Sequence, residues 1–530
     1  MSALACGRST SQDTPPPDAA LPGMPPDPPP GSPLWLMGGH DLHNTRSQPH
    51  ETRIDPTNVH ELAVRWMFEA GGDISATPAV DDEAVYVPDW AGNLFKLDRE
   101  TGAVIWQRAI CDYNGIPDSI SRVTPAIHGD ALIFGDQAGR VLMPANVMAV
   151  DKHTGDLLWI TQVDSHSMSL VTQPAVVFED RVYVGVSSHE ETWAAQIPDY
   201  ECCSFRGSMM ALDAGTGEIL WRLYMAPPGY TGNAVWGSTA VVDAPRGSLY
   251  VATGNNYTVP EDVAACVAEN LGDADAVEAC LSPDNHFDSV MSLDLQSGAI
   301  KWVTRSIPFD AWTLGCILPD APNCPEPAGP DYDFAQGPAL FTVTLESGER
   351  RQLLGAGQKS GRYWTFDPDD GEVVWDTQVG NGGALGGLQW GSATDGERIY
   401  TAISNYDGKP WELIANGEPT GEIANAGLFS ALDASTGTIL WQTADPNDGP
   451  DQAPVTVANG VVYGCAVDPD GHMYALDAAS GEILWTFASG GSCGGGASVV
   501  EGAVYWGSGY ATFSHLGTTG NNKLYRFSLP

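Results

Sequence analysis

Seven times along the chain the same short phrase returns: a hydrophobic residue, Asp, two variable residues, then Thr, Ser or Asp, Gly, three more residues and Trp. It runs from Leu97-Asp98 to Trp106, Val150-Asp151 to Trp159, Leu212-Asp213 to Trp221 and Leu293-Asp294 to Trp302. It continues from Phe366-Asp367 to Trp375, Leu432-Asp433 to Trp441 and Leu476-Asp477 to Trp485. Such a period confines a chain to a repeat architecture, because each unit buries its apolar face only against the next. The phrase reads as two strands joined by a tight turn. Asp opens the turn by accepting backbone amides and Gly takes its left-handed position. The Trp ends the outer strand and packs its ring between neighbouring units. Strands such as Val182-Tyr183-Val184-Gly185-Val186 and Gly460-Val461-Val462-Tyr463-Gly464 precede most copies. That makes four strands per unit, a propeller blade.

An eighth unit is divided between the chain ends. Leu62-Ala63-Val64-Arg65-Trp66 matches the strand that carries the Trp, and Lys523-Leu524-Tyr525-Arg526-Phe527 matches the strand before the Asp. Joined, they close the ring and remove free sheet edges. The expected fold is all-β, an eight-bladed β-propeller over residues 35–530, and the 60 Gly and 39 Pro suit its many short strands and turns. The interval from Trp221 to Trp302 is the widest, which means inserted loops, and loops on one face of a ring are where function concentrates.

With 67 acidic against 24 basic residues and a net charge of -43, the chain has no basic patch for nucleic acid or anionic lipid. The excess fits a solvated acidic surface, calcium binding, or an acidic face for a basic electron acceptor. None of the 10 cysteines forms a Cys-x-x-Cys-His haem attachment or a zinc-type pair. Cys202 with Cys203, Cys266 with Cys280 and Cys316 with Cys324 are near neighbours, the spacing of loop-stapling disulfides made in an oxidising compartment. Cys465 and Cys493 could meet between adjacent blades, and Cys111 has no evident partner. Ser2-Ala3-Leu4-Ala5-Cys6 resembles the end of a bacterial lipoprotein signal, although the basic and apolar regions that normally precede it are not in the sequence. Residues 1–34 therefore read as a truncated signal-like start and a Pro-rich tether that cannot build a core. No later apolar run reaches the roughly 18 residues of a membrane span. The expectation is a periplasmic or extracellular protein, with a lipid on Cys6 as its one membrane attachment.

The Asp-x-x-Thr-Gly-x-x-x-Trp repeat resembles the tryptophan-docking motif of quinoprotein alcohol dehydrogenases, which use pyrroloquinoline quinone (PQQ). Trp35-x-x-Gly38-x-x-Asp41-x-x-Asn44-Thr45-Arg46, followed by Asn58-Val59-x-x-Leu62, resembles that family's N-terminus. His40-Asp41-Leu42-His43-Asn44-Thr45-Arg46-Ser47 and Cys202-Cys203-Ser204-Phe205-Arg206-Gly207 resemble the polyvinyl-alcohol dehydrogenases.

The resemblance implies a site. Trp236 would be the floor on which the flat quinone stacks, a role suited to a large aromatic face. A Cys202–Cys203 ring would cap the other face. Glu191 and Asn255 would bind a metal ion, and carboxylate with amide oxygen suits a hard cation such as calcium. Lys359 would contact the quinone oxygens and stabilise charge developing there. Arg122 and Asn405 would meet the cofactor's carboxylates and edge. For the general base the family has Trp-Asp, but here Asp310-Ala311-Trp312 is followed by Thr313. An insertion then leads to Pro330-Asp331-Tyr332-Asp333-Phe334. Asp331 is read as the base and a metal ligand, Asp333 as the additional ligand of lanthanide-dependent relatives, and Asp310 as the runner-up base. The implied activity is oxidation of a secondary or polymeric alcohol to a ketone or aldehyde, with PQQ and calcium or a lanthanide. Electrons would pass to a separate acceptor such as cytochrome c. The alternative is a cofactor-free propeller scaffold of the envelope-assembly type.

Overall fold

Each repeat phrase folds as the two outer strands of a four-stranded antiparallel blade, and eight blades are present in the computed structural model. It describes residues 31–138, 142–197, 199–237, 239–318 and 322–530; Cys6 and most of the tether lie outside the described residues. Blade 5 shows the pattern, with Ala339–Thr344, Arg350–Gly357, Arg362–Phe366 and Val373–Gln378 paired in order. Blade 8 takes Ser498–Val500, Ala503–Gly507 and Lys523–Ser528 from the end of the chain, and Ala63–Glu69 from its beginning. Met67 lies opposite Tyr525 in that closing pair.

The turn of blade 6 shows why the phrase has its composition. Asp433 Oδ1 accepts from the amides of Ser435 and Thr436, both at 2.9 Å. Gly437 has φ 73°, and a Cβ placed on it would lie 2.4 Å from the ring of Trp375 in the preceding blade. Glycine is required both by the left-handed backbone and by the indole lying against it. Trp441 repeats the contact one blade on, its indole N–H donating to the Ala478 carbonyl at 3.1 Å. The Trp is the third residue of its strand, Ile439–Ala444, rather than its last. Indole and glycine thus lock neighbouring blades edge to edge around the ring.

Before the first blade, the segment from Trp35 to Gln48 runs around the axis and meets each blade in turn. Trp35 exchanges backbone bonds with Val80 of blade 1, and the Leu36 carbonyl accepts from Ile127 of blade 2. Met37 packs on the cluster that contains Ala175 and Val177 of blade 3. Carbonyls of Leu42, His43, Thr45 and Arg46 accept from Val242, Leu340, Thr394 and Val457 of blades 4 to 7. Gln48 Nε2 donates to Val499 of blade 8 at 3.1 Å. The buried Arg46 guanidinium donates to the carbonyls of Val455 and Gly38, both at 2.8 Å.

All four pairings suggested by the cysteines form: Cys202–Cys203, Cys266–Cys280, Cys316–Cys324 and Cys465–Cys493. Cys111 is free. Cys266–Cys280 staples helices Glu261–Glu269 and Ala274–Cys280, which fill the widest inter-Trp interval. Among the described residues no helix is long and apolar enough to cross a membrane.

Candidate active site

Antiparallel alternation sends the loops after the second and the fourth strand of every blade to one face, and the Asp-Gly turns to the other. Trp236 and Asp331 lie in loops of the fourth-strand kind, in blades 3 and 4. Glu191, Cys202, Asn255 and Lys359 follow second strands, in blades 3, 3, 4 and 5. Topology alone therefore gathers them on one rim.

Lys359 is the centre of the site. It is buried, and its Nζ lies 2.9 Å from Asp331 Oδ1, 2.8 Å from Asp333 Oδ2 and 5.3 Å from the centre of the Trp236 ring. Burial opposes its charge, but Asp331, Asp333 and Glu191 more than offset that and raise its pKa. Asp333 fastens the rest: Oδ2 accepts the Trp236 indole N–H at 3.0 Å and Oδ1 accepts the Asn255 amide at 2.6 Å. Burial pushes the Asp331 carboxyl well above its usual range, with Lys359 opposing and Asp333 and Glu191 reinforcing. Burial thus dominates its pKa, and the groups expected to act with it adjust the shift in both directions.

Asp331 sits at φ 59°, a left-handed conformation unusual for a side-chain-bearing residue. Asp310 holds it there, its two carboxylate oxygens accepting from the amides of Asp331 at 3.1 Å and Tyr332 at 2.7 Å. Asp310, the runner-up base in sequence, thus has its carboxylate engaged in bracing the loop. Burial pushes Asp310 up to about 6, with the Tyr332 amide opposing.

Glu191 lies in the short helix Glu190–Ala194. Burial pushes its carboxyl up to about 7, against the pull of Lys359. The neighbouring Glu190, fully buried, accepts from the amides of Ser204 and Phe205, each at 2.8 Å, and from the Tyr200 hydroxyl at 2.7 Å. It pins the loop bearing Cys202–Cys203. Cys203 and Trp236 both pack on the core cluster that includes Phe205 and Tyr257.

A second cation stands beside this group. The Arg122 guanidinium lies 4.4 Å from the Trp390 ring centre, 5.5 Å from Trp90 and 5.4 Å from Tyr510, and it donates to the Tyr510 hydroxyl at 2.9 Å. Trp390 in turn meets Trp236 edge to face, with centroids 5.1 Å apart. Trp390 escaped the sequence reading, although Trp390-Gly391-Ser392 repeats the Trp236-Gly237-Ser238 signature. Asn405 is not joined to the Lys359 group by its hydrogen bonds: its Nδ2 donates to Lys409 and Ala426 carbonyls and its Oδ1 accepts from the Lys409 amide.

Among the described residues no three His, Cys, Asp or Glu side chains are already gathered as a metal cage; the Lys359 ammonium stands between Asp331 and Asp333. The donor chemistry nevertheless fits a hard cation. Glu191, Asp331 and Asp333 supply carboxylates against one lysine. The Asn255 Nδ2 is turned away to the carbonyls of Asn256 and Trp312, at 2.8 and 2.9 Å, leaving Oδ1 as an acceptor.

A family model described as outer membrane protein assembly factor BamB matches residues 60–200 and 359–524. A polyvinylalcohol dehydrogenase of Pseudomonas sp is 29% identical, covering 90% of this chain and 73% of that protein. A polyvinylalcohol dehydrogenase of Sphingopyxis sp. (strain 113P3) is also 29% identical, over 93% of this chain and 76% of that protein. Among solved structures, quinohemoprotein alcohol dehydrogenase ADHIIG from Pseudomonas putida HK5 matches with TM-score 0.68 and 17% identity, over 94% of this chain and 80% of that one. A europium-containing methanol dehydrogenase matches with TM-score 0.66 and 17% identity, over 94% and 98%. The family model spans more than half of the chain, so the chain belongs to that PQQ-type propeller family, and within it the chain is similar over nearly its whole length to the two polyvinylalcohol dehydrogenases.

Proposed function

We propose that this protein oxidises a secondary, chain-borne alcohol with PQQ and a hard cation, and passes the electrons to a separate acceptor such as a periplasmic cytochrome c. The observation that carries this reading is the Lys359 group: a buried ammonium held by Asp331 and Asp333 beside the Trp236 ring. A scaffold needs no such assembly, because even a paired buried charge carries a desolvation cost that apolar packing avoids.

In this reading Trp236 and the Cys202–Cys203 turn bound the two faces of a flat cofactor, and Arg122 meets its carboxylates. Glu191, Asn255, Asp331 and Asp333 hold the cation. When bound, the quinone supplies a two-electron acceptor. Asp331 takes the hydroxyl proton of the substrate as general base, its raised pKa making it a stronger proton acceptor once ionised. Lys359 keeps Asp331 oriented and would offer its positive charge to the oxygens of a bound quinone. Asp310 keeps the loop in its left-handed turn, so the carboxylate is in position before substrate arrives. Export is supported by the four disulfides. The acidic surface suits a basic electron acceptor.

The test is dye reduction by the protein loaded with PQQ and either calcium or a lanthanide, over a panel of secondary alcohols and polyvinyl alcohol. Cation-dependent turnover that disappears in Asp331→Ala, with PQQ still bound, is expected. Failure to bind PQQ with either cation would overturn the dehydrogenase reading and leave a propeller scaffold.

A further inference from the structure

A cleft of about 560 Å³ opens beside the Lys359 group, lined mainly by blade 5 and closed by the loop after blade 4 and by Trp411 of blade 6. That lies within the range of roughly 300–1,000 Å³ typical of ligand clefts. Part of its wall comes from the two segments that carry the chemistry. Tyr332 lines it from between Asp331 and Asp333, and Gln358 and Ser360 line it from either side of Lys359. The residues that alternate with the charged ones thus face a separate space.

The lining has a consistent character. Trp364 and Trp411 are half-buried, and their indole N–H groups are engaged by Gln358 at 3.1 Å and Gln442 at 2.9 Å. The rings are fixed and offer the cleft only apolar surface. Gln378 Nε2 donates to the carbonyls of Ser360 and Gly380, both at 2.7 Å, and Asn381 Nδ2 donates to the Lys409 carbonyl at 2.8 Å. Among the described residues no donor reaches Gln378 Oε1 or Asn381 Oδ1, so both remain acceptors. The one cation in the lining, Arg362, is paired with Asp376. Fixed aromatic faces alternate with neutral acceptors, and no unpaired charge is present. A ligand suited to this cleft brings hydroxyl donors on an apolar backbone; an anion finds no partner.

We infer that this cleft is a second subsite, which holds neighbouring carbinol units of an aliphatic polyol while one unit is presented to Asp331. This rests on the proposed dehydrogenase reading. It makes the enzyme selective for a polymer over a small alcohol, because only the polymer occupies both spaces.

The test compares kcat/KM for a polyvinyl-alcohol oligomer and for 2-butanol in the loaded enzyme, with Trp411→Ala and Asn381→Ala as independent variants. The ratio of oligomer to 2-butanol is expected to fall about tenfold in Trp411→Ala and less in Asn381→Ala. Equal losses on both substrates, or no loss on either, would overturn the subsite while leaving the dehydrogenase intact. A calorimetric titration of the PQQ-free protein with the oligomer separates the two ideas. Binding that Trp411→Ala weakens, together with no alcohol oxidation by the PQQ-loaded protein, keeps the cleft and sinks the dehydrogenase. Preference for a malto-oligosaccharide over the oligomer also overturns the assignment.

Discussion

Replacing Lys359 by Met removes the one cation from a group of buried carboxylates while keeping a side chain of similar length. In the native protein the ammonium touches Asp331 and Asp333 at 2.9 and 2.8 Å, in a place from which water is largely excluded. Breaking a buried ion pair by deleting one partner costs about 3–5 kcal/mol, because the other charge is left uncompensated. The expected loss for the metal-free variant lies in that range, read as a lowered midpoint in chemical denaturation. Its pH dependence has a definite sign. Burial already raises the Asp331 carboxyl above its ordinary value, and without Lys359 it rises further. A carboxyl whose folded pKa lies above its unfolded value weakens the fold as it is forced to ionise, so the deficit grows as pH rises and shrinks as pH falls. Added calcium or lanthanide, in the same denaturation assay, should restore more stability to the variant than it adds to the native protein, since it takes over the missing positive charge. A variant as stable as the native protein without metal, or one that gains no more than the native protein from the cation, would refute this account of the site.

Three further outcomes are expected. Trp441→Ala, which removes a buried docking ring and its bond to Ala478, should lower stability by about 3–5 kcal/mol and is checked by thermal unfolding. Glu190→Gln should loosen the Cys202–Cys203 loop by replacing a carboxylate that accepts two backbone amides and the Tyr200 hydroxyl. A loss of about 1.5–3 kcal/mol and faster hydrogen exchange at Ser204 and Phe205 are the measurements. Because Glu191 is pushed up to about 7, cation binding through it must displace a proton below that pH. Calcium affinity measured by calorimetry should weaken by about tenfold per unit as pH falls below that value.

The blades were legible because their cause is local. Asp, Gly and Trp at fixed spacing each answer one requirement of the turn or of the packing across blades, and even the split eighth blade is spelled by such a strand pair. Lys359, Trp236 and Asn255 were legible as candidates, since each directly follows or precedes a recognisable strand. The standing of Asp331 was harder to read, because the loop holding it is interrupted by the Cys316–Cys324 insertion, and its conformation depends on Asp310, a residue 21 positions away. The cage of Trp90, Trp390 and Tyr510 around Arg122 was invisible for a related reason. Its members come from four loops far apart in the chain, and only ring closure brings them together.

The strip from Trp35 to Gln48 also measures the ring. Blades 1, 2 and 4 to 8 each share a hydrogen bond with it and blade 3 packs on Met37, in chain order, with the Arg46 side chain reaching back to Thr77 beside blade 1. Docking of a Trp on the next blade's Gly recurs at seven junctions, the eighth using Trp485 and the Leu62 carbonyl, and that pattern is indifferent to how many blades there are. The strip is not, because a ring of seven would leave one of its attachments without a strand, and a ring of nine would leave a blade unattached. It therefore acts as a gauge of blade number, and through that number it sets the width of the mouth across which Trp236, Lys359 and Arg122 face one another.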